Sequence, residues 1–310
     1  MQASGEGAPP VGMVRAVGNG VRAILAPNPS PMTHWGTNTY LLGTRALAVI
    51  DPGPDDPRHL DAILGALGPG QSISHIFVTH AHLDHSPLAA RLSEATGAPV
   101  LAYGDAGAGR SAVMTQLAEA GGIGGGEGVD AGFAPDLVLC DGEQVAGDGW
   151  QITAHWTPGH FGNHMSFQAG ADVFCGDLVM GWASTLISPP DGDLTQFRAG
   201  CARLMRLRAA RLLPGHGTPV DDPAARIAWL LAHRDAREAA ILAALTDGPA
   251  CAHELAARIY TDTPAALMPA AARNTLAHLI DLMQKSSVLA LDPLNRNTRF
   301  VRSSDPRTTP

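Results

Sequence analysis

The stretch THAHLDH at residues 79–85 decides the fold and the chemistry of this 310-residue chain. It follows the apolar run IFV at residues 76–78, which predicts the end of a buried strand. Side chains two residues apart in an extended segment point the same way, so His80 and His82 can bind one metal ion together. The spacing therefore predicts a metal site at the end of this strand.

The chain is expected to turn immediately after these two histidines. Ser86 and Pro87 predict the N-cap and the first position of a helix. Asp84 and His85 can then face a second ion beside the first. Burying so many polar groups is costly without a cation to coordinate them, which disfavours an accidental cluster.

Three further motifs each place one potential metal ligand directly after an apolar run, where a strand ends and a loop begins. They are TPGH at residues 157–160, FCGD at 174–177 and LPGH at 213–216. Their last residues are His160, Asp177 and His216. Imidazole and carboxylate groups are common ligands of zinc, iron and manganese, so the three motifs extend the predicted metal site.

Together these residues resemble the HxHxDH…H…D…H series of the metallo-β-lactamase superfamily. The resemblance implies an α/β fold, with an αββα sandwich in which two sheets lie between layers of helices. It also implies two zinc ions, although iron or manganese would suit the same donors. Seven side chains would hold them: His80, His82 and His160 the first, Asp84, His85 and His216 the second, and Asp177 both.

The resemblance further implies a zinc-dependent hydrolase. Zinc can lower the pKa of bound water from about 15.7 to about 7, which provides a metal-bridging hydroxide for attack at neutral pH. Asp84 is expected to orient that nucleophile while it binds the second ion. His164 follows His160 by four residues, as in glyoxalase II-like thioesterases. We expect His164 to donate a proton or to hydrogen-bond a ligand, and the alternative is a structural role in its loop.

The sequence changes character after the last predicted ligand. Apolar spacing predicts a long helix over residues 222–245, two more helices over 253–260 and 265–284, and a terminal hairpin of two short strands. This order is typical of a winged helix. We therefore predict a catalytic domain over residues 1–220, a connecting helix over 221–248 and an α+β winged-helix-like domain over 249–310.

Three other segments support a narrower resemblance. PSPMT at residues 29–33, GTNTY at 36–40 and ARIYTDTP at 257–264 look like the lactamase-like endoribonuclease group. The mammalian mitochondrial member of that group joins this catalytic fold to a terminal winged helix. The resemblance covers nearly the whole chain and implies single-stranded RNA as a candidate substrate.

Composition predicts a folded, cytoplasmic enzyme. Hydrophobic residues make up 45% of the chain, which is enough for a large core. No apolar run reaches the ~18 residues that a membrane span needs, and residues 1–14 lack the basic and apolar regions of a signal peptide. The four cysteines show no paired spacing, which predicts that they are free thiols. They are Cys140, Cys175, Cys201 and Cys251.

Two segments near the predicted site are open to more than one interpretation. Residues 104–136 are rich in glycine, which predicts a mobile surface excursion, with a functional lid as the alternative. His34 and Trp35 precede Gly36 and could form one wall of a cleft, although ordinary packing is favoured. Trp182 is predicted to be a packing residue beside a ligand loop.

Charge disfavours a nucleic-acid substrate without excluding it. The formal net charge is −8, and residues 219–310 carry ten basic and ten acidic side chains, so the negative excess lies in the catalytic part. Contacts from lysine and arginine to phosphate dominate affinity for nucleic acids. Two basic groups partly offset the excess: a hairpin group of Lys285, Arg296, Arg299, Arg302 and Arg307, and a helix group of Arg198, Arg203, Arg206, Arg208 and Arg211.

The sequence therefore favours a dinuclear hydrolase and leaves two substrate classes open. A small thioester or ester acyl substrate is one, and a phosphodiester is the other, as in a single-strand-specific endoribonuclease. A β-lactamase is less favoured because no export signal is visible, and a winged-helix regulator because the ligand series is intact. The winged helix can equally shape the substrate site or join two copies in a homodimer. No membrane partner is expected.

Overall fold

The computed structural model describes residues 7–303, in which two β-sheets share one apolar core. The first sheet has seven strands in chain order: β1 (Val14–Gly18), β2 (Val21–Leu25), β3 (Asn38–Leu42), β4 (Ala46–Ile50), β5 (Ser72–Phe77), β6 (Val100–Ala102) and β7 (Leu137–Val138). The second has five: β8 (Gln144–Gly147), β9 (Trp150–Trp156), β10 (Met165–Ala169), β11 (Asp172–Gly176) and β12 (Arg211–Pro214).

Strand direction brings several strand ends to the same edge. In the first sheet β4 to β7 are parallel to one another. In the second sheet β10 is antiparallel to both β9 and β11, and β12 is parallel to β11. The chain therefore leaves β9, β11 and β12 at one edge, and the loops that follow these strands lie together.

Helices cover the outer faces of both sheets. Helices α1 (Pro57–Gly65) and α2 (Leu88–Thr96) pack on the first sheet, where Ile63 and Leu92 share a buried cluster with Ile76. Helix α4 (Leu194–Leu207) packs on the second sheet through a cluster that includes Phe197 and Val173. Its first turn is capped because the carboxylate of Asp193 accepts hydrogen bonds from the next backbone amides. The predicted αββα sandwich is confirmed.

The C-terminal part consists of three helices and a small sheet. The helices are α5 (Pro223–Ala244), α6 (Ala252–Ile259) and α7 (Met268–Gln284). Strands β13 (Ala250–Cys251), β14 (Val288–Ala290) and β15 (Arg299–Arg302) form a sheet in the order β13-β15-β14. This arrangement confirms the predicted winged helix, while the boundaries proposed at residues 220 and 248 stay predictions.

The glycine-rich segment over residues 104–136 is not a surface excursion throughout, which corrects the sequence prediction. It contains α3 (Ala112–Ala120), whose Met114 and Leu117 are buried together with Ile123. These three side chains share one core with Leu279 of α7 and Phe300 of β15. Glycine content suggested exposure, but apolar residues three apart give α3 one buried face against the winged helix.

All four cysteines are free thiols, as predicted, and Cys175 and Cys201 are buried. Within residues 7–303 no helix is both long enough and apolar enough to cross a membrane.

Candidate metal centre

The seven predicted ligands all lie in loops that follow the C-terminal ends of strands. Residues 80–85 follow β5, and His160 follows β9. Asp177 and His216 follow β11 and β12, which are parallel neighbours. Two of these loops are tied together directly, because the Gly215 amide donates to the Gly176 carbonyl at 2.9 Å. The loops therefore converge on one point of the molecule.

Three histidines form the first cluster. The Nδ1 atom of His82 lies 2.8 Å from Nε2 of His80 and 3.0 Å from Nε2 of His160. Such close contact between imidazole nitrogens is what a shared cation would produce, since it places three lone pairs around one point. The cluster matches the first ligand set implied by the resemblance.

Two carboxylates and two histidines form the second cluster, which adjoins the first. Oδ2 of Asp84 lies 3.1 Å from Nε2 of His216 and 3.4 Å from Nε2 of His85. Oδ2 of Asp177 lies 3.2 Å from Nε2 of His216 and also 3.8 Å from Nε2 of His160 in the first cluster. Asp177 therefore stands between the two clusters, where the resemblance places a bridging ligand.

Five of the seven predicted ligands are histidines, and in four of these the ring nitrogen that faces away from the clusters, Nδ1, is hydrogen-bonded to an oxygen. Nδ1 of His80 lies 2.9 Å from the Thr79 hydroxyl. The other acceptors are the Asp51 carboxylate for His85 (2.9 Å), the Leu186 carbonyl for His160 (2.7 Å) and the Gly36 carbonyl for His216 (3.1 Å). A carbonyl or carboxylate at Nδ1 places the proton on that atom and leaves Nε2 free to bind a metal.

The electrostatics of the two clusters differ. Burial lowers the pKa of His80 well below its usual value and that of His82 to about 3, so both present neutral nitrogens. Burial would also lower the pKa of His216, but the Asp177 and Asp84 carboxylates raise it to about 9. Because the carboxylates also raise the pKa of His85, the second cluster favours protonated histidines when it holds no metal, and a metal cation would take the place of those protons.

A buried carboxylate oxygen without a hydrogen bond is a further sign that the donor set fits divalent cations. Oδ1 of Asp177 is buried without a hydrogen-bond partner among the described residues, and the nearest nitrogen described for it, Nε2 of His85, lies 3.6 Å away. An ionised oxygen in that position is costly unless a cation or a donor faces it. Nitrogen and carboxylate ligands suit zinc, and equally iron or manganese.

His164 lies behind the first cluster. Its ring centroid is 5.2 Å from that of His80, and its Nδ1 atom is 3.1 Å from the Thr157 hydroxyl. The side chain is fully buried and does not line the cleft described below. This position suits a role in holding the ligand loop, and proton donation by His164 stays a prediction.

The sequence analysis missed Asp51, which follows β4. Its carboxylate accepts hydrogen bonds from the Thr79 amide (2.7 Å) and hydroxyl (2.8 Å) as well as from His85. The sequence Asp51-Pro52-Gly53 is by itself typical of a turn and gives no sign of a metal site. The available signal in the sequence was an acidic residue at the end of an apolar strand, and only the structure shows that β5, which precedes the first ligands, is the parallel neighbour of that strand.

We expect Asp51→Asn to weaken metal binding by about 10- to 100-fold, because the amide cannot accept all three hydrogen bonds that orient Thr79 and His85. Asparagine tolerates the left-handed backbone at this position, where φ is 51°. Competition titration with a metal-binding dye measures the affinity. Asp55→Asn is the matched control, because Asp55 pairs with Arg91 at the surface. Equal affinities for both variants would contradict the assignment.

Both clusters face a cleft of about 930 Å³ between the catalytic part and the winged helix. His82, Asp84, His160, Asp177 and His216 all line it. The remaining lining is largely apolar and includes Met32, Met180, Trp182, Leu186, Leu267 and Leu276.

Trp182 packs against a neighbouring ring, as predicted from sequence, and also lines the cleft. It stacks on His34 with ring centroids 4.7 Å apart. Trp35 stacks on the other face of His34 at 4.3 Å. The three rings therefore form one aromatic stack beside the second cluster. Trp182 is the ring of this stack that lines the cleft.

Comparison with known proteins distinguishes the same two parts of the chain. The sequence profile of the metallo-beta-lactamase superfamily matches residues 32–216, and that of the beta-lactamase associated winged helix domain matches residues 252–292. The beta-lactamase-like protein 2 homolog of Drosophila melanogaster is 28% identical over 281 residues, which cover 86% of this chain and 88% of that protein. These matches confirm the resemblance and the α/β fold with its C-terminal winged helix.

Two further similar proteins are a solved structure and a named enzyme. A crystal structure of a metallo-beta-lactamase family protein from Thermus thermophilus has a TM-score of 0.74 at 26% identity and covers 93% of this chain and 100% of that one. An atrochrysone carboxyl ACP thioesterase of Aspergillus fumigatus is 28% identical over 230 residues, which cover 72% of this chain and 64% of that protein. Because the superfamily profile spans more than half of the sequence, this chain belongs to the metallo-β-lactamase superfamily, whose members are generally hydrolases.

Proposed function

We propose that this chain hydrolyses thioester or ester bonds of small acyl substrates with two divalent metal ions, zinc being the first candidate. The observation that carries the proposal is the cleft, because its largely apolar walls lead directly to both ligand clusters. An apolar cleft with a few convergent polar groups is typical of a small-molecule site. The thioesterase named among the similar proteins supports the same substrate class.

The residues of the site have separate roles in the proposed hydrolysis. When bound, two metal ions would supply a water of lowered pKa and would polarise the acyl carbonyl. Burial would raise the pKa of Asp84, but His85 and His216 hold it well below the usual value, so Asp84 stays ionised. Its side chain is 26% exposed and lines the cleft, where a free oxygen can orient a nucleophile. Trp182 and Met180 exclude solvent from the acyl group.

The winged helix contributes one side of the cleft, which supports a substrate-shaping role for it. Tyr260 of the loop after α6, and Leu267 and Ala270 near the start of α7, all line the cleft. Apolar surface from both parts of the chain would therefore contact an acyl chain at the same time. A homodimer and binding of nucleic acid by the winged helix remain alternatives to this role.

Single-stranded RNA is the second candidate substrate, and the charge distribution gives it little support. In the helix group, Arg198, Arg203 and Arg211 form ion pairs with carboxylates. In the hairpin group, Lys285 and Arg299 are paired as well, and Arg307 lies outside the described residues. Arg296, at the edge of the cleft, favours RNA most directly. Paired side chains are less available to phosphates, which dominate affinity for RNA.

A substrate panel tests the proposal. Purified protein is assayed on acyl thioesters of increasing chain length and on end-labelled single-stranded RNA, each with and without a chelator. We expect thioester hydrolysis that stops with the chelator and returns with added zinc, and no cleavage of RNA. Cleavage of RNA without thioester hydrolysis would replace the first candidate by the second, and chelator-resistant hydrolysis would contradict both.

A cleft-filling variant tests whether the apolar cleft holds the acyl chain. Ala270→Phe is expected to lower kcat/KM for the longest acyl thioesters at least ~10-fold and to leave acetyl thioesters nearly unchanged, because the added ring occupies only the apolar part. Ala257→Phe on the exposed face of α6 is the control. An equal loss for all chain lengths would place the acyl chain elsewhere.

A further inference from the structure

The loop between Asp177 and α4 contains a short segment, residues 185–187, that joins the winged helix to the first ligand cluster. The Leu186 carbonyl accepts the hydrogen bond from Nδ1 of His160 at 2.7 Å. The two residues beside it are held by the C-terminal helices. Oδ1 of Asn274 accepts from the Ile187 amide at 3.0 Å, and the Arg234 guanidinium donates to the Thr185 carbonyl.

Asn274 and Arg234 act as one unit. Nη1 of Arg234 donates to the same Oδ1 atom of Asn274 at 3.1 Å, so one oxygen joins α5, α7 and the segment. Arg234 is 1% exposed and lies over the Phe197 ring at 5.3 Å, which restricts its movement. Hydrogen bonds to a buried charged group contribute more than those between neutral groups.

This support distinguishes His160 from the three other histidines whose second ring nitrogen has an acceptor, namely His80, His85 and His216. Thr79, Asp51 and Gly36, which hold His80, His85 and His216, all come from the catalytic part of the chain. Of these four acceptors, the one for His160 alone lies in a segment fixed by side chains of α5 and α7. Partners of this kind orient the imidazole, and their loss typically costs ~10- to 100-fold in metal affinity.

We propose that Asn274, held by Arg234, is a positioning residue for His160, through which the winged helix sets the metal affinity of the first cluster. The inference rests on the proposed function, because it requires the clusters to bind metal. Without the Oδ1 atom, the Ile187 amide loses its acceptor and the Leu186 carbonyl is free to turn away from His160. The first cluster would then hold two fixed ligands and one poorly oriented one.

The test compares three variants of the full chain by competition titration with a metal-binding dye and by the absorption spectrum after cobalt loading. Asn274→Leu keeps the branched shape and the number of heavy atoms in the side chain and removes the acceptor, and one of two dissociation constants is expected to rise ~10- to 100-fold. Asn274→Asp keeps the acceptor and its pairing with Arg234, so it is expected to restore both constants and the wild-type spectrum. Gln284→Ala, exposed at the far end of α7, is the control.

The outcomes separate this inference from the proposed function. Wild-type protein that binds no metal would contradict the proposed function itself. Wild-type protein that binds two ions, together with an Asn274→Leu variant of equal affinity, would overturn the role of Asn274 alone. If Asn274→Leu does not fold, Asn274→Ala takes its place, because it removes the same oxygen without adding an apolar group. Unchanged affinity in that folded variant also overturns the inference.

Discussion

Replacing Asp177 with alanine is expected to abolish thioester hydrolysis, with a loss of at least ~10³-fold in kcat. Its carboxylate adjoins both clusters, at 3.2 Å from His216 and 3.8 Å from His160. Alanine removes the negative charge that would hold two cations near each other. We expect the variant to retain at most one metal ion per chain when elemental mass spectrometry is applied after dialysis.

Asp84→Asn should lose hydrolysis as well, although by a different route. The amide keeps the size of the carboxylate but cannot bind the second ion or orient a nucleophile as an ionised oxygen does. Asp61→Ala, on the exposed face of α1, is the control for both variants. Full activity in either site variant, with the wild-type metal content, would defeat the assignment of the two clusters.

Gly215→Ala should destroy the second cluster without changing any ligand. A β-carbon at this position would lie 2.5 Å from Oδ1 of Asp177 and 2.5 Å from Cε1 of His85, far inside van der Waals contact. The backbone cannot move aside, because the Gly215 carbonyl accepts from Asn38 at 2.7 Å and its amide donates to Gly176. We expect activity to fall to the level of the chelated enzyme and the second metal to be lost.

Gly65→Ala provides the matched comparison. Gly65 ends α1, and a β-carbon there would meet nothing within 4 Å. Alanine is the better helix former by about 0.5–1 kcal/mol, so thermal unfolding should shift slightly upward and activity should not change. A Gly215→Ala enzyme with normal metal content would show that the 213–217 loop is less constrained than the contacts indicate.

The ligand series could be predicted from the sequence because each member is marked locally. A short apolar run precedes every one of the four motifs, and a loop residue such as glycine or threonine accompanies it. The HxHxDH spacing also fixes which side chains share a face of the chain. The structure brings all seven predicted ligands into two adjoining clusters.

The partners that orient those ligands could not be predicted in the same way. Asp51 contacts His85 across 34 residues, and the pairing depends on β4 and β5 being neighbours in the sheet. The Leu186 carbonyl carries no side-chain signal, since any residue supplies one. The burial of Ile123 could not be predicted because the residue lies in a glycine-rich stretch. It follows from the packing of α3 on the winged helix.

The sequence by itself determined the family, the αββα sandwich, the winged helix and the identity of the candidate ligands, because strand periodicity and motif spacing are properties of neighbouring residues. Only the tertiary structure decided that the winged helix forms one wall of the cleft and fixes the carbonyl behind His160. The second feature depends on a contact between Ile187 and Asn274, which are 87 residues apart in the chain. Such contacts depend on how the domains pack, which local sequence patterns do not record.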